Sequence, residues 1–112
     1  MNNKTIIRVT TGRNEYMNID IDDILYLKAD GNYTEIFLIS NNKITIYKNL
    51  KKTVEEIINT DTFIKVKRNI IVNTNNIIKL NTSKKAYILL KNNIKRTPSV
   101  RLKRNIINTL TQ

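Results

Sequence analysis

Residues 24–39, ILYLKADGNYTEIFLI, contain two apolar runs separated by Asp30-Gly31-Asn32. Successive side chains of an extended chain point to opposite faces. The two faces predicted for the first run are Ile24, Tyr26 and Lys28 against Leu25, Leu27 and Ala29. Asp, Gly and Asn are good turn formers. The stretch therefore predicts two strands joined by a tight turn.

Short apolar runs between turn signals continue through most of the chain. Strands are predicted at Thr5–Thr10, Tyr16–Ile21, Tyr33–Ile39, Lys43–Tyr47, Phe63–Val66, Ile70–Val72, Ile77–Leu80 and Ala86–Leu90. Asparagine tolerates a left-handed backbone, so three Asn pairs are predicted to close hairpins. These pairs are Asn41-Asn42, Asn75-Asn76 and Asn92-Asn93. The pattern is typical of a mostly β, antiparallel fold.

Two segments break the alternation and predict short helices. The first has apolar residues at the spacing of one helix face, namely Leu50, Val54, Ile57 and Ile58. Asn49, just before them, is a suitable N-cap. The second begins after Pro98, where Ser99 can cap a helix that runs to about Leu110. Its predicted apolar stripe is Leu102, Ile106 and Leu110.

Length and composition limit the classes of function. The 112 residues are expected to form a single domain, with no receiver domain in this chain. The sequence has no His and no Cys, which excludes disulfides, imidazole and thiolate metal sites, and nucleophiles that depend on these residues. The carboxylates that could be imagined as a magnesium cluster are Asp20, Asp22, Asp23 and Asp30. Asp22-Asp23 opening a turn is a more ordinary explanation, and no Gly-rich phosphate loop accompanies them. We predict no enzyme, no cofactor and no metal.

The net charge of +11 is unevenly distributed. Residues 1–61 hold eight Lys/Arg and all nine acids, whereas residues 62–112 hold twelve Lys/Arg and no acid. Twelve uncompensated charges repel one another in a compact chain, and a polyanion such as nucleic acid relieves this. A Lys-rich surface kept for solubility is the simpler alternative. An anionic membrane surface would need a dense Lys run or a basic amphipathic helix, whereas here the charges are interspersed with apolar residues.

The first of three candidate binding clusters surrounds a predicted turn at residues 65–69. Arg68 and Asn69 fall in the turn itself. Arg matches the O6 and N7 of guanine, and Asn matches the N6 and N7 of adenine. Lys65 and Lys67 precede them and suit phosphates. An ordinary solvated turn explains the same residues equally well.

The second cluster surrounds the predicted start of the C-terminal helix. It consists of Arg96, Ser99, Arg101, Lys103 and Arg104. The free N–H groups of a helix start can bind a phosphate. A cation in the first turn opposes the helix dipole, so Arg101 at that position points to an anionic partner. The alternative is an exposed Arg with no role.

The third cluster consists of Asn32, Tyr33 and Thr34, after the Asp30-Gly31 turn. The polar ends of these side chains would allow the turn to contact base edges. Good turn formers between two strands are the simpler explanation of this stretch.

Four segments stand in the order found in the LytTR DNA-binding domain of bacterial response regulators, which this chain resembles. They are DIDDILYLKADGNYTEIFL at 20–38, YKNLKKTVEEI at 47–57, FIKVKRNIIVNTNNIIKL at 63–80 and TPSVRLKR at 97–104. The resemblance implies a mostly β fold of several small antiparallel sheets with one or two short helices. It also implies loops that enter successive major grooves of DNA.

The family's reading positions, carried over by this resemblance, are residues 32–34, residues 67–69 and Arg101. They coincide with the three clusters. The family commonly has His at the position of Lys67 and Ser at that of Asn69. Lys67 keeps a donor and loses an acceptor, so base preference at this position is left open.

The function predicted from the sequence is sequence-specific binding of double-stranded DNA by a transcription regulator in the cytoplasm. The expected partners are double-stranded DNA with promoter repeats, a second copy of the chain on DNA, and a separate regulatory protein. No membrane partner is expected, because no apolar run reaches the ~18 residues of a membrane span. Two alternatives are a basic module that docks an acidic protein and an RNA-binding β module. RNA readers usually offer aromatic platforms, and only Tyr33 lies in a candidate loop.

Overall fold

The fold consists of three antiparallel sheets and two short helices in a computed structural model that describes residues 6–58 and 61–111. The strands are β1 Ile6–Gly12, β2 Glu15–Asp20, β3 Ile24–Asp30, β4 Tyr33–Leu38, β5 Lys43–Ile46, β6 Phe63–Lys67, β7 Ile70–Asn73, β8 Ile77–Asn81, β9 Tyr87–Leu90 and β10 Ile94–Arg96. The helices are α1 Leu50–Lys52, which continues as a π-helix over Thr53–Ile58, and α2 Val100–Leu110. Several small antiparallel sheets with short helices were expected, and this fold class is confirmed. Thr5, the first residue of the first predicted strand, lies outside the described residues.

The largest sheet lies between two apolar clusters. It has five strands in the order β5-β4-β3-β7-β6, while β1 and β2 form a hairpin and β10-β9-β8 form a third sheet. One cluster joins the five-stranded sheet to β1, β2 and α1, and the other joins it to β9 and α2. Because the central sheet is covered on both faces, the turns at its ends are where polar side chains of several strands are exposed together.

The side-chain alternation predicted for β3 is wrong at its start. Ile24 packs with Leu27 in one cluster, and Tyr26 packs with Leu25 in the other. The pairing of β3 with β4 shifts register between Ile24 and Tyr26. A bulge inserts one residue and reverses the faces beyond it. The predicted grouping therefore holds only from Tyr26 onwards.

Both predicted helices form at the expected caps. The Asn49 side chain accepts the Lys52 amide at 2.8 Å, and the Ser99 hydroxyl accepts the Leu102 amide at 3.3 Å. In α2, Ile106 is buried, and Leu102 and Leu110 pack against the same cluster. The predicted stripe of α2 is therefore confirmed.

Two of the three Asn pairs close hairpins and one does not. Asn41 and Asn92 take positive φ angles of 72° and 65° between paired strands. The pair Asn75-Asn76 instead ends a 3₁₀ turn between β7 and β8, which belong to different sheets. The hairpin predicted there is wrong, since the chain crosses between layers at this point. Strand β10 was not predicted.

Candidate nucleic-acid interface

Several turns gather at one end of the five-stranded sheet. Because its strands are antiparallel, the end of β3, the start of β4, the end of β5, the end of β6 and the start of β7 lie at the same end. We call this end, together with the start of α2, the loop edge. It consists of residues 31–33, 47–49, 67–69 and 99–101.

Two backbone hydrogen bonds connect the three predicted clusters across the loop edge. The Ala29 amide donates to the Asn69 carbonyl at 2.9 Å, which places the β3–β4 turn beside the β6–β7 turn. The Ser99 amide donates to the Val66 carbonyl at 2.8 Å, which fixes the start of α2 against β6. Residues far apart in sequence thus form one row.

The β6–β7 turn exposes two of the predicted readers. Arg68 and Asn69 form the turn and are exposed, Lys65 is exposed and Lys67 is half-buried. Val66 between the two lysines is fully buried and lies at a bulge, since the register with β7 shifts there. Lys65 and Arg68 both line a cleft of about 430 Å³ between α1 and the sheet.

The start of α2 exposes Arg101 and Arg104. The Ser99 carbonyl accepts the amides of Leu102 and Lys103, so the helix is capped at Ser99. The Lys103 ammonium donates to the Lys84 carbonyl at 3.1 Å, which brings the β8–β9 turn beside α2.

The β3–β4 turn divides the third cluster. Asn32 and Tyr33 are exposed, next to Gly31 at a φ of 60°. Thr34 is fully buried, and its hydroxyl donates to the Lys48 carbonyl at 2.7 Å and lies 3.1 Å from the Thr53 hydroxyl. Thr34 therefore holds the backbone beside the loop edge and offers no group on its surface.

Arg96 also serves the interior of the fold. Its guanidinium lies over the Tyr26 ring at 4.4 Å from the centroid and donates to the Tyr26 hydroxyl. Tyr26 in turn stacks on Phe37, with ring centroids 4.4 Å apart. These contacts orient Arg96 towards the sheet and away from the loop edge.

The structure adds Tyr47 and Lys48 to the loop edge. Tyr47 is 68% exposed and meets the ring of Tyr33 edge-on, with 5.0 Å between centroids. The sequence carried a signal for this pair. Once strands 33–39 and 43–47 are paired as a hairpin about Asn41-Asn42, their outer ends must meet.

The ion pairs among the described residues all lie in the N-terminal half. They join Lys43 to Glu35 at 2.9 Å and Lys48 to Glu56 at 2.7 Å. A hydrogen bond to Glu35 raises the pKa of Lys43, and one from Lys48 lowers the pKa of Glu56. The cations that follow residue 61 have no such carboxylate partner in the described chain.

A second basic cluster lies on the three-stranded sheet. The Lys95 ammonium lies 4.3 Å from the centroid of the Tyr87 ring, and Lys79 lies 6.0 Å from the same centroid. A hydrogen bond from Lys79 lowers the pKa of the Tyr87 hydroxyl. Two ammonium groups thus share one ring and contribute to the positive potential of the C-terminal half.

Three of the acidic residues of the N-terminal half, Asp20, Asp22 and Asp23, lie at a turn. The Asp20 carboxylate accepts the Asp22 amide at 3.0 Å and caps the 3₁₀ turn Ile21–Asp23. Among residues 6–58 and 61–111, no three acidic side chains are grouped as metal ligands would be. Within the same ranges, no helix has the length and apolar character needed to cross a membrane.

Comparison with known proteins identifies the family. The family model of the LytTr DNA-binding domain matches residues 14–111. This chain belongs to the LytTR family. The matched residues include all three predicted clusters. The chain is therefore a DNA-binding domain. The LytTR family is not a catalytic family.

A solved LytTR domain has the same fold. It is the LytTr DNA-binding domain of a protein from Bacillus cereus described as a methyl-accepting/DNA response regulator. The two share 17% sequence identity at a TM-score of 0.76, over 97% of this chain and 99% of that one. No curated protein matches this LytTR chain.

Proposed function

We propose that this LytTR domain is a transcription regulator that binds specific double-stranded DNA through the loop edge. The observation that supports it best is the pair of backbone hydrogen bonds, Ala29–Asn69 and Ser99–Val66, which gather three separate turns into one row. This row carries Arg68, Asn69 and Arg101, whose side chains suit base edges.

The proposed contact set is narrower than the one predicted from the sequence. It keeps Asn32, Tyr33, Lys65, Lys67, Arg68, Asn69, Ser99, Arg101, Lys103 and Arg104. Thr34 is left out because its hydroxyl is occupied inside the fold. Arg96 is left out because its guanidinium lies over the Tyr26 ring and donates to the Tyr26 hydroxyl, away from the loop edge. Arg68, Asn69, Arg101 and Asn32 read bases, and the lysines contact phosphates.

The width of the loop edge supports contact with more than one groove. The ends of five adjacent strands span about 19 Å, since neighbouring strands lie about 4.8 Å apart. The start of α2 lies beyond β6, at one margin of this row. One major groove is about 12 Å wide. The loop edge is thus wider than one groove, and our proposal places its two margins in successive major grooves of bent DNA, because these grooves recur only every ~34 Å on straight DNA.

Our proposal also covers the number of domains, the location and the partners of the chain. The chain acts as one domain, in the cytoplasm where promoter DNA is accessible, and it binds repeated sites as two copies. A separate regulatory protein sets its activity. It works by binding rather than by catalysis.

Selection of bound sequences from a random duplex pool, at two salt concentrations, tests the proposal. We expect enrichment of a defined sequence, with one repeat for each bound copy. The control is the Lys43→Gln variant, which loses one charge at the opposite end of β4 from the loop edge. It should select the same sequence. A pool that stays random at both salt concentrations would overturn the proposal.

A further inference from the structure

Val100 is the most exposed large hydrophobic side chain among the described residues. It is 94% exposed, compared with 68% for Tyr47, the next in order. It is the first residue of α2, between the Ser99 cap and Arg101. It lies outside the Leu102–Ile106–Leu110 stripe and contributes nothing to the core.

The fold gives no reason for valine at this position. Valine is a weaker helix former than alanine, because its branched side chain loses rotamer freedom in a helix. An acidic residue in the first turn would also interact favourably with the helix dipole. Folding and solubility alone would therefore favour other residues over an exposed valine.

The surroundings of Val100 are cationic. It lines an open cleft of about 450 Å³ with Lys103, Arg104, Ile107 and Asn108, and Arg101 follows it in the chain. A partner that covers Val100 must present an apolar group within a strongly anionic surface. The C5-methyl of thymine, in the major groove between two phosphate backbones, meets this requirement. Uracil lacks this methyl, so the same surface on RNA would leave Val100 uncovered.

We propose that Val100 contacts the C5-methyl group of a thymine beside the guanine that Arg101 reads. This inference rests on the proposed function, because it requires α2 to enter the major groove. Val100 then adds a preference for A·T at one position. Ser99 and Arg101 fix that position relative to the guanine.

The test replaces each thymine of the selected duplex, one at a time, by deoxyuridine. For the native protein we expect one position at which the replacement lowers affinity about fourfold, the effect of burying one methyl group. The Val100→Ala variant should bind the thymine duplex about fourfold more weakly, and it should show no further loss on the uracil duplex. Because alanine favours helix more than valine, the variant should fold, and its far-ultraviolet spectrum and melting temperature verify this.

Ile78→Ala provides the matched control, since Ile78 is an exposed apolar residue at 58% on the three-stranded sheet. It should keep the uracil-sensitive position of the native protein. The inference is overturned if no position is sensitive to uracil, or if Val100→Ala keeps the sensitivity of the native protein. If no duplex is selected at all, the proposed function fails first, and the two failures are thereby distinguished.

Discussion

At the scale of single residues, the choice between Arg and Lys carries information. The chain has fourteen Lys and six Arg, and Arg68 and Arg101 both lie on the loop edge. A guanidinium binds guanine through two parallel hydrogen bonds, which an ammonium cannot form. Arg68→Ala or Arg101→Ala should therefore cost about 1–3 kcal/mol of binding free energy on the selected duplex. The same variants should lose little on random DNA.

The matching Lys variants separate base contacts from phosphate contacts. Arg68→Lys and Arg101→Lys keep the charge, so titrations at several salt concentrations should give the native salt dependence with much less discrimination. Lys43→Ala removes one charge far from the loop edge and is the control for the two Arg→Ala variants. If Arg68→Ala and Arg101→Ala lost the same affinity on selected and random duplexes, these arginines would contact phosphates and not bases.

Thr34 shows where sequence reasoning about residues stops. A polar residue in a turn predicts exposure, whereas pairing of β4 with β5 directs this side chain to Lys48 and Thr53. Thr34→Val removes a buried hydroxyl and its 2.7 Å hydrogen bond to the Lys48 carbonyl, which then accepts only from the Thr53 hydroxyl at 3.3 Å. We expect a loss of about 1–3 kcal/mol in the free energy of unfolding, measured by urea denaturation, with an unchanged sequence preference.

The matched control for Thr34 is Thr45→Val on the neighbouring strand. Thr45 is exposed, so this variant should stay within about 0.5 kcal/mol of the native stability. If Thr34→Val is as stable as Thr45→Val and selects another sequence, Thr34 is a reader after all.

At the scale of elements, apolar periodicity and caps predicted most strands and both helices. Asn49 and Ser99 each cap the helix that the sequence assigned to them. The bulge at the start of β3 was missed, because an inserted residue leaves no mark in an alternating apolar run. Strand β10 was missed because Ile94–Arg96 has only three residues and owes its extended form to pairing with β9.

The turn between β7 and β8 was misread because its Asn residues act over long range. The side-chain amide of Asn73 donates to the carbonyls of Ile21 and Ile24, at 3.2 and 3.0 Å. Asn76 donates to the carbonyls of Asp22 and Ile24, at 2.9 and 2.7 Å. These contacts span about fifty residues, so local turn preferences could not predict them.

Asn73→Ala should therefore destabilise the whole fold. Both acceptor carbonyls belong to the segment that leads into the central strand, and Asn73 itself is fully buried. The loss of two buried hydrogen bonds and of the side-chain volume should together cost about 1–3 kcal/mol of unfolding free energy, while the Ile24 carbonyl keeps its bond from Asn76. Asn75→Ala, in the exposed position of the same turn, is the control for thermal and urea denaturation. Similar stabilities of the two variants would contradict this role.

At the scale of the whole molecule, the uneven charge is the feature that the sequence predicted without help from the fold. Residues 62–112 form strands β6 and β7 of the central sheet, the three-stranded sheet and α2. Their cations have no carboxylate partner within the described chain. The sequence could not show that two hydrogen bonds connect this basic half to the β3–β4 turn. That connection depends on the pairing of β3 with β7, about forty residues apart in the chain.

The basic half should therefore give binding a steep salt dependence that is shared by all sequences. Lys84 and Lys85 form the exposed β8–β9 turn, which the Lys103 ammonium holds beside α2 through the Lys84 carbonyl. An ammonium on a flexible stem neutralises a phosphate and reads no base. Lys84→Gln or Lys85→Gln should lower affinity by the same factor on selected and random duplexes. Each phosphate contact that is lost should reduce the slope of log K against log salt by about 0.9. Lys43→Gln removes the same charge far from the loop edge and should keep the native slope. A shift in the preferred sequence after Lys84→Gln or Lys85→Gln would place the β8–β9 turn in a groove and contradict the assignment of these lysines to phosphates.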